Sequence, residues 1–225
     1  MPETPQKPSR IQAVVFDLDG LLFNTEELYQ HTGAEMLRRR GHTLTQELLD
    51  DMMGRPSAVA LQIMIDRHGL DCEVEDLRRE TDEIMETLFD TRLAPMPGAA
   101  ALLDDLEQAG IPRAVATSSR RDFVDAVLGR FGFHRRFAFI LCEEDVRHGK
   151  PHPEIYELAA RKFGATPAEM MVLEDSPNGC RSAVAAGAFV VAAPGPQHRG
   201  EPFPGVTLIC DSLKDVRIRQ ALGLA

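Results

Sequence analysis

Cysteine is scarce in this chain, and the four cysteines that occur are widely separated. Cys72, Cys142, Cys180 and Cys210 form no C-x-x-C pair and have no histidines nearby at the spacing of a zinc site. Closely spaced cysteines mark disulfide frameworks or metal sites, whereas scattered ones are typical of reduced, buried thiols. The sequence therefore predicts no disulfides and favours a cytoplasmic protein.

Long apolar runs and an excess of positive charge are also missing. No segment approaches the ~20 consecutive apolar residues of a membrane span, and residues 1–10 lack the apolar stretch of a signal peptide. With 25 Lys and Arg against 35 Asp and Glu, the formal net charge is −10. Since nucleic acid requires a basic face, we expect neither a nucleic-acid nor a membrane partner.

A buried strand that ends in two carboxylates lies near the start of the chain. Residues 11–16 form an unbroken apolar run rich in β-branched side chains, which predicts a strand covered on both faces of a parallel sheet. Asp17, Asp19 and Gly20 follow it directly. Two acids so close together favour a hard divalent cation such as Mg²⁺, although an acidic turn is the simpler alternative.

The segment that follows shows helical periodicity and no strand pattern up to the tract A-P-M-P-G. The predicted helices cover residues 25–40, 45–53, 57–68 and 73–90. The prolines of the tract end this helical region. We therefore predict a flexible N-terminal tail (1–10), an α/β core domain that carries the catalytic residues (11–20 and 97–225) and an inserted all-helical cap domain (21–96).

After the insert, apolar runs alternate with amphipathic helical patterns. Further strands are predicted at 112–118, 137–142, 170–173, 189–192 and 206–210, and helices at 99–108, 122–130, 153–163 and 177–186. Strands that alternate with helices indicate a doubly wound, Rossmann-like parallel sheet with right-handed crossovers. The predicted fold class is thus α/β with a helical insert.

Four predicted strands lead into polar residues of different kinds. They supply the acids Asp17 and Asp19, the hydroxyls of Thr117 and Ser118, the ammonium of Lys150, and the acids Glu174 and Asp175. Because the carboxyl ends of parallel strands meet at one edge of a sheet, we expect these groups to converge on one crevice. Each alone could be a helix cap or a solvated side chain, but together they form a set suited to phosphate chemistry.

The segments D-L-D-G, A-T-S-S, G-K-P-H-P and L-E-D-S-P-N-G resemble, in order and spacing, the four motifs of the haloacid dehalogenase superfamily of phosphohydrolases. The resemblance covers nearly all of the chain after residue 10. It is strongest to the branch that holds phosphoglycolate phosphatase, β-phosphoglucomutase and pseudouridine 5′-phosphatase, and most of all to the last type. The departures are small: Leu21, Asn24 and His152 stand where other residues are common.

The resemblance implies a role for each matched residue. Asp17 would be the nucleophile, Asp19 the general acid and base, and Lys150 a further catalytic cation. Mg²⁺ would be held by Asp17, the backbone carbonyl of Asp19, Asp175 and, directly or through water, Glu174. Thr117, Ser118, Gly20 and Lys150 would bind the phosphate group.

The predicted cap contributes further candidates for substrate binding. Gly54 and Arg55 lie between predicted helices and could reach the active site, or they could form a plain turn with a solvated arginine. Tyr29 could offer its ring and hydroxyl to a base or sugar, or it could simply pack the cap.

The expected function is hydrolysis of a small phosphate monoester, such as a nucleoside or sugar phosphate, by a Mg²⁺-dependent monomer through a phosphoaspartyl intermediate. The first alternative is a phosphomutase of the β-phosphoglucomutase type, although Tyr29 and Ser57 stand where that mutase carries histidine and arginine.

The second alternative is a signalling receiver domain that is phosphorylated on aspartate. In receivers the lysine comes last and no long insert follows the first acids, whereas here Glu174 and Asp175 follow Lys150.

Overall fold

The structure is a computed structural model that describes residues 10–52, 55 and 57–224. The chain divides into two compact units. The larger contains the residues up to Phe23 and from Pro95 onward, and the smaller contains Asn24–Ala94.

The larger unit is built on a parallel sheet of six strands. The strands are β1 (Ala13–Phe16), β2 (Arg113–Ala116), β3 (Ile140–Leu141), β4 (Met170–Glu174), β5 (Phe189–Ala192) and β6 (Leu208–Ile209). Their spatial order is β3-β2-β1-β4-β5-β6, and every pair is parallel. This order confirms the predicted doubly wound fold. The chain reverses its direction across the sheet between β1 and β4, where such folds open a crevice for ligands.

The helices lie close to their predicted bounds. They are α1 (Thr25–Arg39), α2 (Gln46–Met52), α3 (Ser57–His68), α4 (Val74–Thr91), α5 (Ala99–Gln108), α6 (Arg121–Phe131), α7 (Glu154–Phe163), α8 (Pro177–Ala186) and α9 (Val216–Leu222). The short helix α9 was not predicted. Asp215 caps this helix, since its carboxylate accepts a hydrogen bond from the backbone N–H of Arg217, and Arg219 of α9 forms an ion pair with Asp105 of α5.

Burial explains why the strands carry so few polar residues. All four residues of β1 and all five of β4 are buried, and each of these strands has a neighbouring strand on both sides. Strands β3 and β6 form the two edges and are shorter than predicted, with two residues each. The two strands at the centre of the sheet, β1 and β4, are thus buried along their whole length.

The smaller unit has its own apolar core between α1, α2, α3 and α4. Its buried members are Met36, Leu37, Leu48, Leu61, Met64, Leu77 and Ile84. The two methionines are therefore packing residues. None of the helices among the described residues has the length and apolarity needed to cross a bilayer. All four cysteines are free thiols, and three are buried while Cys72 is half-buried.

The boundaries of the two units fall slightly inside the predicted limits of the insert. Phe23 belongs to the larger unit because its buried ring packs 5.1 Å from that of Phe131 and 5.5 Å from that of Phe133. Asn24 directly precedes α1, but its side chain makes no capping bond to the helix. It instead accepts from the backbone of Ala94 at 2.8 Å and donates to the carbonyl of Arg92 at 3.0 Å.

Candidate active site

Three carboxyl groups meet at the carboxyl ends of β1 and β4. Asp17 follows β1, Glu174 ends β4, and Asp175 comes next. The strands are in register with Phe16 opposite Leu173, and the backbone N–H of Asp17 donates to the Leu173 carbonyl at 3.0 Å. All three side chains are buried, and one oxygen of each lies within 4.8 Å of the others. The sheet thus brings together acids that are about 160 residues apart in the chain.

Lys150 supplies the positive charge in this cluster. Its Nζ lies 2.6 Å from Asp17 Oδ1, 2.7 Å from Glu174 Oε1 and 2.9 Å from the carbonyl oxygen of Ala116. Burial lowers the pKa of Lys150, but the Asp17 and Glu174 carboxylates outweigh that effect and hold the pKa well above its usual range. The lysine is therefore a permanent cation at the crevice.

The charge balance of the cluster favours a bound cation. Burial raises the pKa of Asp17 well above its ordinary value, against the lowering effect of Lys150 and with a further rise caused by Glu174. Three buried carboxyl groups thus face one ammonium group. A donor set made only of oxygens, with surplus negative charge, fits a hard divalent cation such as Mg²⁺ and would be stabilised by it.

Glu174 is hydrogen-bonded on both of its carboxylate oxygens. Its Oε1 accepts from Lys150 and from the hydroxyl of Tyr156 at 2.8 Å, and its Oε2 accepts from the backbone of Asp175 and from both the backbone and hydroxyl of Ser176. A Cβ on Gly179 would lie only 1.7 Å from Glu174 Oε1. The surroundings therefore hold the Glu174 side chain in one place, where it positions Lys150.

Asp19 lies apart from the three clustered acids and has different partners. Its Oδ2 accepts from the hydroxyl of Thr117 at 3.0 Å and from the hydroxyl of Ser119 at 2.6 Å. The backbone N–H of Ser119 donates in turn to Thr117 Oγ1 at 3.0 Å. Two hydroxyl groups from the end of β2 thus fix the orientation of the Asp19 carboxyl group.

The predicted phosphate-binding residues differ in their exposure and in their hydrogen-bond partners. Thr117 is buried and bonded to Asp19, whereas Ser118 is exposed at the end of β2. Gly20 adopts a positive φ of 74°, which suits glycine, and its N–H donates to the carbonyl of Phe23 at 2.9 Å. Lys150 is already in the acidic cluster. The four residues therefore belong to the same unit as Asp17.

Tyr156 and Gln197 also lie at the site and were not predicted from the sequence. Tyr156, on α7, donates to Glu174, and its ring centroid lies 5.2 Å from Lys150 Nζ. Burial raises the pKa of Tyr156 well above its usual value, so the phenol keeps its proton. Gln197 places its Nε2 3.4 Å from Asp175 Oδ2. Tyr156 lies on an apolar helix face, where nothing in the sequence separates it from ordinary core residues.

The candidates from the predicted cap lie in the smaller unit. Tyr29, on α1, is 40% exposed, and Arg55 is exposed with its Nε donating to the carbonyl of Asp51 at 2.6 Å. Gly54 lies outside the described residues. The roles of Tyr29 and Arg55 in substrate binding therefore stay predictions.

Comparison with known proteins connects this geometry to a family. The family model for haloacid dehalogenase-like hydrolases matches residues 14–193. A probable pseudouridine-5′-phosphatase from Drosophila melanogaster is 33% identical and the hexitol phosphatase A of Escherichia coli 32% identical, with 93% or more of each chain covered. The solved structure of CbbY from Rhodobacter sphaeroides in complex with phosphate has a TM-score of 0.80 and 30% identity, covering 92% of this chain and 96% of CbbY. These similarities confirm the resemblance predicted from the four motifs.

The hydroxyl of Tyr156 generates a testable prediction about stability. The substitution Tyr156→Phe removes one donor from the buried Glu174 carboxylate, and hydrogen bonds to charged groups contribute about 1.5–3 kcal/mol. We expect urea denaturation to show a loss of that size in the free energy of unfolding. Tyr29→Phe is the matched control, and as a surface change it should stay within about 0.5 kcal/mol of wild type. Equal losses in the two variants would contradict the assigned bond.

Proposed function

Because the chain belongs to the haloacid dehalogenase-like hydrolases and is a phosphoric monoester hydrolase, we propose that it is a Mg²⁺-dependent phosphatase that works through a phosphoaspartyl intermediate on Asp17. The single observation that carries the proposal is the buried contact of 2.6 Å between Asp17 and Lys150, beside Asp175 and Glu174. It combines a nucleophile with fixed positive charge at the crevice of a doubly wound sheet.

The first step is attack by a carboxylate oxygen of Asp17 on the phosphorus atom of the substrate. Two like unit charges 4 Å apart repel by roughly 4 kcal/mol at an effective dielectric constant of 20, so this approach needs counter-charge. Lys150 supplies one fixed cation next to Asp17. The residues that would hold Mg²⁺ are Asp17, Asp175 and the carbonyl of Asp19, with Glu174 binding directly or through water. Bound there, the ion would neutralise phosphate oxygens and favour in-line transfer.

Asp19 is the group that we assign to proton transfer. It would protonate the leaving alcohol and then deprotonate the water that attacks the phosphoaspartate. The hydroxyls of Thr117 and Ser119 hold its carboxyl group in one orientation. A group that serves as both acid and base must keep its position between the two steps, which supports this assignment.

The substrate that we propose is a small sugar or nucleoside phosphate. The similar proteins include a probable pseudouridine-5′-phosphatase, a hexitol phosphatase and a CbbY structure solved with xylulose-(1,5)bisphosphate. Tyr29 and Ser57 replace the histidine and arginine implied for a mutase cap, which favours hydrolysis over phosphoryl return to a second sugar. Tyr29 and Arg55 are the proposed substrate contacts of the cap.

The role of Asp17 is tested by phosphate release from p-nitrophenyl phosphate. Asp17→Asn should reduce turnover at least about a hundredfold, because an amide is neither a nucleophile nor a good metal ligand. Asp211→Asn is the matched control, since Asp211 also follows a strand but is exposed, and it should keep wild-type activity.

In the wild type, a chelator should abolish phosphatase activity, Mg²⁺ should restore it, and Ca²⁺ should not. Full activity in excess chelator would refute the metal requirement.

The role of Asp19 is tested by comparing leaving groups in rapid-mixing kinetics. Asp19→Asn should nearly abolish turnover of alkyl phosphates, whose leaving group requires a proton. With p-nitrophenyl phosphate the first step should survive and hydrolysis of the phosphoaspartate should fail, giving a burst of about one p-nitrophenol per chain. Asp17→Asn should give no burst. Equal loss of the first step with both substrates would contradict an acid-base role for Asp19.

The substrate class is tested by a screen of phosphate monoesters, including nucleoside 5′-phosphates, sugar phosphates, hexitol phosphates and phosphoglycolate. We expect release of inorganic phosphate to be fastest with a sugar or nucleoside phosphate. The same enzyme is then given β-glucose 1-phosphate with catalytic glucose 1,6-bisphosphate. Production of glucose 6-phosphate faster than phosphate release from every screened monoester would establish a mutase instead.

A further inference from the structure

A second group of metal-ligating side chains lies outside the acidic cluster. His148, His152 and Glu154 each place one potential ligand atom within 4.8 Å of the others. The rings of the two histidines are 4.7 Å apart between centroids, and His148 Nδ1 lies 2.9 Å from Glu154 Oε2. His152 Nδ1 lies 4.0 Å from the same oxygen. Three side chains from one short loop and the start of α7 therefore converge on a single point.

The backbone holds these three residues in place. Glu154 is the first residue of α7, and its carboxylate accepts from the backbone N–H groups of Arg147 at 3.0 Å and His148 at 3.1 Å. The backbone N–H of His152 closes the loop on the carbonyl of Gly149 at 3.0 Å, and the His152 carbonyl accepts from Ser182 Oγ at 2.7 Å. The ligand positions are thus prepared before any ion binds.

The protonation state of the carboxylate suits a cation. Hydrogen bonds from the backbone of Arg147 and from the His148 side chain lower the pKa of Glu154 to about 2. Glu154 therefore carries its full negative charge at neutral pH. Both histidine side chains are at least half exposed, at 64% and 50%, so a metal ion has open access and water can complete its coordination.

We propose that His148, His152 and Glu154 form a second metal site that binds a divalent transition metal of the Zn²⁺, Co²⁺ or Ni²⁺ class. Two imidazoles and one carboxylate suit such ions, whereas Mg²⁺ and Ca²⁺ prefer oxygen donors and match the acidic cluster at Asp17. The two histidines stand on either side of Lys150 in the chain. A bound ion would therefore connect both ends of the loop that carries the active-site lysine and restrict its motion.

The test is Co²⁺ binding to the full chain without a polyhistidine tag, in excess Mg²⁺, followed by calorimetry and visible absorption. We expect the wild type to bind one more Co²⁺ per chain than His148→Ala and His152→Ala, or to bind it at least about tenfold more tightly. His134→Ala is the matched control, because His134 also pairs with a carboxylate, that of Asp125 at 3.0 Å, but has no part in the cluster. It should bind Co²⁺ as the wild type does.

Two outcomes would overturn the proposal. One is equal Co²⁺ binding by the wild type and both cluster variants, and the other is an equal loss in His134→Ala. Circular dichroism and thermal unfolding in chelator establish that the variants are folded.

Histidine NMR spectra of the wild type provide a measurement that needs no variant. Trace Ni²⁺ should broaden the ring signals of His148 and His152 before those of the other five histidines among the seven in the chain. Uniform broadening of all seven would contradict the site. Phosphatase activity is not part of either measurement, so failure of this proposal is independent of the proposed function.

Discussion

The structure depends on the buried ion pairs that Lys150 makes with Asp17 and Glu174. Removing one partner from such a buried pair typically costs 3–5 kcal/mol, because the other charge is left without compensation inside the protein. The lysine comes from the loop after β3, while the acids come from β1 and β4. These ion pairs therefore form only when the two central strands and the loop are all in their folded positions. The same contacts stabilise the carboxyl ends of the strands and arrange the charged groups of the candidate active site.

The helices on this sheet edge serve the same cluster. Helix α8 approaches Glu174 closely enough that only a glycine fits at position 179. Helix α7 contributes Tyr156, which fills one acceptor of Glu174 and lies against Lys150. Both carboxylate oxygens of Glu174 are hydrogen-bonded, and one of them accepts from Lys150, so the position of Glu174 and the position of the lysine depend on each other. Packing and electrostatics are thus provided by the same residues.

The loop that carries Lys150 combines two kinds of ligand chemistry within a few residues. The lysine points into a cluster of oxygen donors that suits a hard cation, while His148 and His152 lie in an exposed cluster that suits a softer one. The two clusters also differ in burial, because the acidic cluster is buried whereas both histidines are exposed. An ion in the buried acidic cluster would offset repulsion among the carboxylates, whereas an ion held by the exposed imidazoles would stay open to water.

The sequence by itself determined most of the strands and helices in their chain order, and it placed Asp17, Asp19, Thr117 and Asp175 at or just after strand ends and Lys150 in the loop after β3. Those features follow from local periodicity and from short motifs, which residues close in the chain encode. Only the tertiary structure showed that Glu174 holds Lys150, that Tyr156 completes this contact, and that Ser119 and Thr117 share Asp19. These contacts join residues 18 to 100 positions apart, and they depend on which helix face packs on which strand, a choice that no local pattern encodes.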